Sequence, residues 1–501
     1  MSRRRRTLTT ALLAVVLTGS TGLAACGGPD TTGGAGTTGG AAASGAPTGS
    51  PTGSVATEVD PALAAARSTP AEDSAYPEVG DPGVDALHYD LDVAWDRDTD
   101  TLTATEVLTF RATADAAQVR LDLAGTMAVT EALLDGAPVS TTHDGKDLVV
   151  QAAVVADQVA ELTLSYAGTP EPVAAPATRT DIEGLGLTID PDHQLWTMQE
   201  PFGAYTWYAV NDHPSDKALY DLTITAPPGW VGVAGGTPVG DTAAADGRRT
   251  TSYRLEDPAA AYLVTLAVGD YTSRELTSGS GVPITLWTPR GERRFDDALD
   301  TAPAAIDWLE QHLGPYPFDT AGAVVVRSAS AMETQSMITL GDTDYATSPA
   351  VILHEFAHQW WGDLVTPADW RDLWLNEGMA MYLQWWWEAE QEGVPLDRYL
   401  ERYAGDEAYA RVEAGPPGRP DPRQFGSTNV YYGGAYFWAA LRREIGDDAF
   451  LAVVRDWPAQ QAGRSVRAAD LLAFLEERTG RQLDDLWRSW LLARVSPELP
   501  R

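Results

Sequence analysis

Between Tyr76 and Tyr271 apolar and polar side chains alternate, the period of strands with one wet face. Leu121 and Leu123 alternate with Arg120 and Asp122, and Leu162, Leu164 and Tyr166 with Thr163 and Ser165. Leu222 and Ile224 repeat the pattern, as do Tyr262, Val264, Leu266 and Val268. Turn signals such as Asp135-Gly136 and Asp144-Gly145 fall between these runs. The pattern predicts an antiparallel β domain over residues 76–272. From Ser273 onward helical and strand periods mix. Strands are expected at Val282–Trp287 and Gly322–Arg327, and a helix over Phe295–Leu313 interrupted by Pro303. Further helices are expected from Pro349, from Asp372 to Gln391, and at Gly434–Ile445, Asp448–Val454, Ala468–Arg478 and Leu483–Ala493. The fold class that follows is α+β, with a mixed second domain over residues 273–495.

The residues before Tyr76 follow another rule. Arg3 to Arg6 precede a short apolar run, Ala11 to Leu17, too short to span a membrane. Leu23-Ala24-Ala25-Cys26-Gly27 then resembles a bacterial lipobox. Residues 1–25 are therefore expected to be a signal peptide and Cys26 the lipidated first residue of an exported protein. It would sit at the outer face of the bacterial cytoplasmic membrane. Cys26 is the only cysteine, so no intrachain disulfide can form. Residues 26–75 are rich in Gly, Thr, Ser, Ala and Pro and bury too little to fold. They are read as a tether spanning on the order of 40 Å. Removing residues 1–25 takes the formal charge from −36 to −40, which argues against nucleic acid as a partner.

The chemistry concentrates in residues 349–377. His354-Glu355-Phe356-Ala357-His358 is an H-E-x-x-H motif, preceded by Ser348 and Pro349 as helix cap and first residue. Gly362 is the expected stop. Two histidines one turn apart project from one face and can hold one Zn²⁺. Glu355 lies beside them, placed to polarise a water. Nineteen positions after His358 comes Glu377, which a second helix packed on the first would return to the metal as third ligand. The stripe Leu353, Phe356, Trp360 and Leu364 accounts for the buried side of the helix, not for its histidines.

His354 to Gly362, with Trp374-Leu375-Asn376-Glu377-Gly378, resembles the aminopeptidase N-like zinc metallopeptidases, the gluzincins with H-E-x-x-H, eighteen residues and Glu. The resemblance implies one Zn²⁺ per chain, a thermolysin-like catalytic domain behind the N-terminal β domain, and peptide substrates with a free N-terminus. Relatives carry G-x-M-E-N beside the metal; here Ser330-Ala331-Met332-Glu333-Thr334 offers Glu333 for the substrate's α-ammonium. A family Tyr in a Y-x-x-G-A context donates to the oxyanion. That role falls to Tyr431, with Tyr432 as its rival. The segments Trp196 to Pro201 and Asn211 to Lys217 resemble a substrate-cradling loop. Gln199 is the candidate there and Glu200 the alternative. Many relatives carry a further helical domain, for which this chain has no room.

The reading that results is a lipid-anchored, monomeric zinc aminopeptidase. Its alternatives are an endopeptidase or epoxide hydrolase on the same zinc frame, or a catalytically silent surface lipoprotein. His88, His143, His193, His213 and His312 lack ligand spacing and are read as structural.

Overall fold

A computed structural model describes residues 61–182 and 184–499. The expected signal peptide and Cys26 lie outside the described residues. The tether expected up to Ala75 ends sooner. Pro61–Ala66 is a short 3₁₀ helix, and the strand-free segment behind it lies against the folded body. The Ser68 N–H donates to Asp85 and the Ala71 N–H to Ser215 Oγ. Asp73 is buried and accepts from the N–H groups of Ala75, Tyr76 and Trp370. Composition misses this because the contacts are made by backbone and a few short polar side chains, with little apolar burial.

The first domain is built on an eight-stranded sheet. Its strands, in spatial order, are Thr237–Ala243, Arg249–Ala260, Lys217–Ala226, Val84–Asp96, Thr101–Ala112, Val159–Gly168, Met127–Leu134 and Ala137–Pro138. Alternation does what the pattern asked: Tyr89, Leu91, Val93 and Trp95 are buried, while Asp90, Asp92 and Asp96 face water. Leu162, Leu164 and Tyr166 are buried on the same principle. The sheet is not wholly antiparallel. Val84–Asp96 and Lys217–Ala226 run parallel, with His88 opposite Leu219 and Ala94 opposite Thr225. A period-two pattern is the same for either direction, and strands so far apart in sequence are free to pair either way. Smaller sheets of four and three strands complete this domain.

A five-stranded sheet opens the second domain, ordered Tyr271–Thr277, Pro283–Pro289, Ala321–Val326, Ile338–Gly341 and Ala331–Met332. The central Ala321–Val326 is buried throughout and parallel to both neighbours, as an unbroken apolar run requires. The edge strand Ala331–Met332 pairs antiparallel with Ile338–Gly341. Pro303 does not interrupt a helix. Asp296–Leu299 and Ala302–Leu313 are separate, and Pro303 stands in the first turn of the second, where its missing N–H costs nothing.

Three helices follow that carry the motif residues: the histidine helix Pro349–Ala357, the glutamate helix Trp374–Glu392 and the tyrosine helix Thr428–Ile445. The first starts as expected, Ser348 Oγ accepting from the Val351 N–H. It ends earlier than Gly362. His358 keeps helical dihedrals as its C-cap, and the chain leaves through wider turns in which the Asp363 and Leu364 N–H groups donate to the His358 and Gln359 carbonyls. Gly362, at φ 146°, turns the chain only after that. Gly378 of the glutamate helix meets Gly434 of the tyrosine helix so closely that a Cβ on either would lie 2.5 Å from the other's Cα. Asp397–Ala414 is a helix the apolar pattern does not single out, because its inner face includes a buried ion pair, Glu407 with Arg411. Among the described residues no helix is long and apolar enough to cross a membrane.

Candidate active site

The histidine and glutamate helices bring His354, His358 and Glu377 together, with one ligand atom from each lying within 4.8 Å of the others. Glu377 Oε2 is 3.2 Å from His354 Nε2 and 3.4 Å from His358 Nε2. The far ring nitrogens are also held. His358 Nδ1 lies 3.1 Å from the Trp361 carbonyl and His354 Nδ1 3.1 Å from Gln384 Oε1. A carbonyl oxygen only accepts, so each Nδ1 donates outward and Nε2 is the ring nitrogen turned toward the cluster, where loss of its proton would free a lone pair for a metal. Two imidazole nitrogens and a carboxylate converging on one point form a donor set that suits a tetrahedral Zn²⁺ with one position left over. Gln384, seven residues past Glu377 on the same helix face, orients His354; sequence reasoning did not single it out, although the heptad spacing signals it.

Glu355 is buried beside this set and, with Glu333 and His358, forms a second group of ligand atoms within 4.8 Å. Glu333 follows the edge strand, and its backbone carbonyl accepts from Gln359 Nε2 at 3.0 Å. Gln359 Oε1 in turn accepts from the Ser336 N–H, so this glutamine ties the edge strand to the end of the histidine helix. Thr334, where relatives carry Asn, is fully buried and its hydroxyl serves the turn, meeting the Met337 carbonyl and Thr339 Oγ1.

The cluster is short of positive charge. Burial raises the Glu355 carboxyl well above its ordinary value, and raises Glu333 as well. Burial and then the charges of Glu333 and Glu377 raise Glu200. Burial would raise Glu377 too, but hydrogen bonds from His354 and His358 hold it well below the usual carboxylate range. Burial disfavours a charged His358, yet Glu333, Glu377 and Glu355 outweigh it and hold that imidazole well above its ordinary value. Glu333 Oε1 and Glu200 Oε1 are both buried without a hydrogen-bond partner.

The loop candidate is corrected by one residue. Gln199 is fully buried in the first domain. Its amide nitrogen donates to the Ala261 and Val264 carbonyls at 2.9 and 3.0 Å, and its oxygen accepts from Trp207 Nε1 at 3.1 Å. With both polar atoms of its side chain engaged there, that side chain clasps the β domain and does not face the cluster. Glu200 does, its electrostatic partners being Glu333, Glu377, His358 and Arg179.

Tyr431 lies nearly parallel to the His354 ring, with centroids 6.0 Å apart and planes at 22°. Tyr432, one residue on and turned away, packs on Trp385 and Tyr403 with centroids about 5 Å distant. The first domain adds a group that sequence reasoning missed. Arg179, on the loop before Gly184, donates to Tyr431 Oη at 3.0 Å. No local signal marks it, since 252 residues separate the partners.

Residues 297–490 match the model of the Peptidase family M1 domain. Aminopeptidase N of Streptomyces lividans is 29% identical over 343 residues, 62% of this chain and 39% of that protein. Aminopeptidase 2 of Candida albicans is 25% identical over 448 residues, 82% of this chain and 47% of its own. The chain thus spans less than half the length of these two relatives. A crystal structure of an M1 zinc metallopeptidase glutamate-to-alanine mutant from Deinococcus radiodurans superposes with a TM-score of 0.75 at 29% identity, covering 86% of this chain and 99% of that one. The same mutant bound to a Tyr-Ser-Ala substrate gives a TM-score of 0.76 at 28% identity, with the same coverage.

Proposed function

The chain belongs to the aminopeptidase N-like M1 zinc metallopeptidases through residues 297–490, and from that premise we propose that it removes N-terminal residues from peptides. The observation that carries the proposal is the pair of unpartnered buried carboxylate oxygens, on Glu333 and Glu200, beside the His354–His358–Glu377 donor set. A metal site of this kind does not by itself choose a chain end. Two desolvated carboxylates do, because only a free N-terminus brings a cation to that position.

His354, His358 and Glu377 would hold the zinc, and residues 273–495 are read as a thermolysin-like catalytic domain. Zinc supplies Lewis acidity at the scissile carbonyl and eases the ionisation of water. Glu355 takes the proton from the attacking water and hands it to the leaving nitrogen. Tyr431 donates its hydroxyl proton to the developing oxyanion. Glu333 and Glu200 hold the α-ammonium and so set the first residue, and no other, over the reacting groups.

The test compares one peptide sequence with its amino terminus free and acetylated, in wild type and in Glu333→Ala. A charge-assisted hydrogen bond is worth roughly 1.5–3 kcal/mol, so acetylation should cost about ten- to a hundred-fold in kcat/KM. Glu333→Ala should lose a similar factor on the free peptide and little more on the acetylated one, since both changes remove one interaction. Wild type that cleaves both peptides equally well would replace this reading with the endopeptidase alternative.

Export belongs to the same proposal and rests on Arg3 to Arg6, the apolar run and Cys26. Cys26→Ser is expected to move the protein out of the membrane fraction with its activity intact. A variant that remains in the membrane fraction would end the lipoprotein reading.

A further inference from the structure

We propose that Arg179 is a positioning residue: it fixes the Tyr431 hydroxyl so that its proton points at the reacting oxygen. The inference rests on the aminopeptidase reading and on Tyr431 as its oxyanion donor.

A guanidinium has donors and no acceptor. Arg179 Nη1 lies 3.0 Å from Tyr431 Oη, so the phenol oxygen must be the acceptor of that bond. A hydroxyl has one proton. With an Arg bonded to the oxygen, the proton is left for another acceptor, and Glu377 of the donor set is the side chain it meets, next to the His354 ring that lies along the phenol. A free rotor thereby becomes a directed donor. The fixed cation also favours negative charge on the phenol oxygen as the proton is shared with the substrate.

The rest of the guanidinium is already engaged. Nε and Nη2 form a two-pronged contact with the Asp181 carboxylate at 3.1 and 2.5 Å, and Nη1 reaches the Gly426 carbonyl at 3.4 Å. Arg179 is thus clamped from the first domain by Asp181 and from the second by the turn before the tyrosine helix. Gly426 adopts φ 61°, the left-handed conformation that favours glycine, in the turn whose carbonyl meets Nη1. A side chain held on three partners is suited to orienting a neighbour, and offers little to a substrate.

The test is a double-mutant cycle read on a free-amine arylamide, with zinc content and melting temperature measured for every variant. Arg179→Ala should lower kcat about ten- to a hundred-fold, the effect of one charge-assisted hydrogen bond, with KM within a few fold. In the Tyr431→Phe background the same change should cost almost nothing further, because the hydroxyl it serves is gone. Arg179→Lys should recover part of the loss, since one ammonium can meet Tyr431 or Asp181 but not both in the forked geometry. Asp181→Asn loosens the clamp while leaving Arg179 in place; it should act in the same direction and also fall silent with Tyr431→Phe, and it serves if Arg179→Ala does not fold. Equal losses with and without the Tyr431 hydroxyl, or a change in KM alone, would overturn the proposal. Wild type that hydrolyses no free-amine arylamide would overturn the aminopeptidase reading and this inference with it.

Discussion

Glu355 and Tyr431 can each lose one functional group with little change of shape, by Glu→Gln and Tyr→Phe. Glu355→Gln retains the volume and the zinc donors but removes the proton acceptor. Turnover should fall by at least ~10²-fold with zinc retained, measured by metal analysis beside kcat. Tyr431→Phe removes one donor to the oxyanion and should lose about 10²- to 10³-fold in kcat. Tyr432→Phe, in the cluster with Trp385 and Tyr403, should stay within a few fold. The pairs Tyr431/Tyr432 and Gln199/Glu200 show where sequence stops. Each is a choice between adjacent residues, and adjacent residues leave the backbone in different directions. For the tyrosines, spacing to Gly434 points to Tyr431, whose ring lies along His354 while that of Tyr432 packs on Trp385 and Tyr403. For Gln199 no such marker exists, and only the carbonyls of Ala261 and Val264, more than sixty residues away, reveal that its amide is already engaged.

At the scale of elements, the glutamate and tyrosine helices touch through bare backbone at Gly378 and Gly434. Glu377 precedes the first glycine and Tyr431 stands three residues before the second, so this contact sets the distance between them. Gly378→Ala would place a methyl 2.5 Å from a backbone Cα that cannot rotate away. Overpacking of this kind typically costs about 1–3 kcal/mol. We expect a lower melting temperature and weaker zinc retention under dialysis against a chelator; an unchanged zinc affinity would show that Glu377 does not depend on this contact. Helix existence was legible here because periodicity and capping are local, as Ser348 and Pro349 illustrate. The Asp397–Ala414 helix was not, since a buried Arg411 reads as surface until Glu407 and the carbonyls of Trp490 and Ala493 are seen around it.

At the scale of the molecule, several acids outside the donor set are buried. Glu106 is inside the eight-stranded sheet, accepting from Tyr166 Oη and the Ala209 N–H, and burial pushes its carboxyl from 4.5 up to about 8. Asp212, buried likewise, is pushed up to about 7. A folded-state value raised above the unfolded one means that folding takes up protons between the two. The contribution of Glu106 is complete below about pH 4.5, declines between 4.5 and 8, and is gone above about 8. Glu106→Gln cannot ionise and should lose this slope. Its melting temperature relative to wild type should rise steadily from pH 5 to pH 8 and then level off. A difference independent of pH would mean that Glu106 is ionised in the fold.

The origins of the site's side chains divide in one further way. His354, Glu355, His358, Glu377 and Tyr431 all sit on helices of the second domain, while Glu200 and Arg179 arrive from loops of the first. The helices of the second domain thus carry the donor set, while loops of the first reach the same cluster at Glu200 and Arg179 and can vary without touching the metal donors. The β-domain loops can accept substitutions that retune which chain ends are taken while the donor set keeps its metal. Exchanging residues 199–205 for the corresponding loop of a relative with another preference should therefore shift that preference, and leave zinc content as it was.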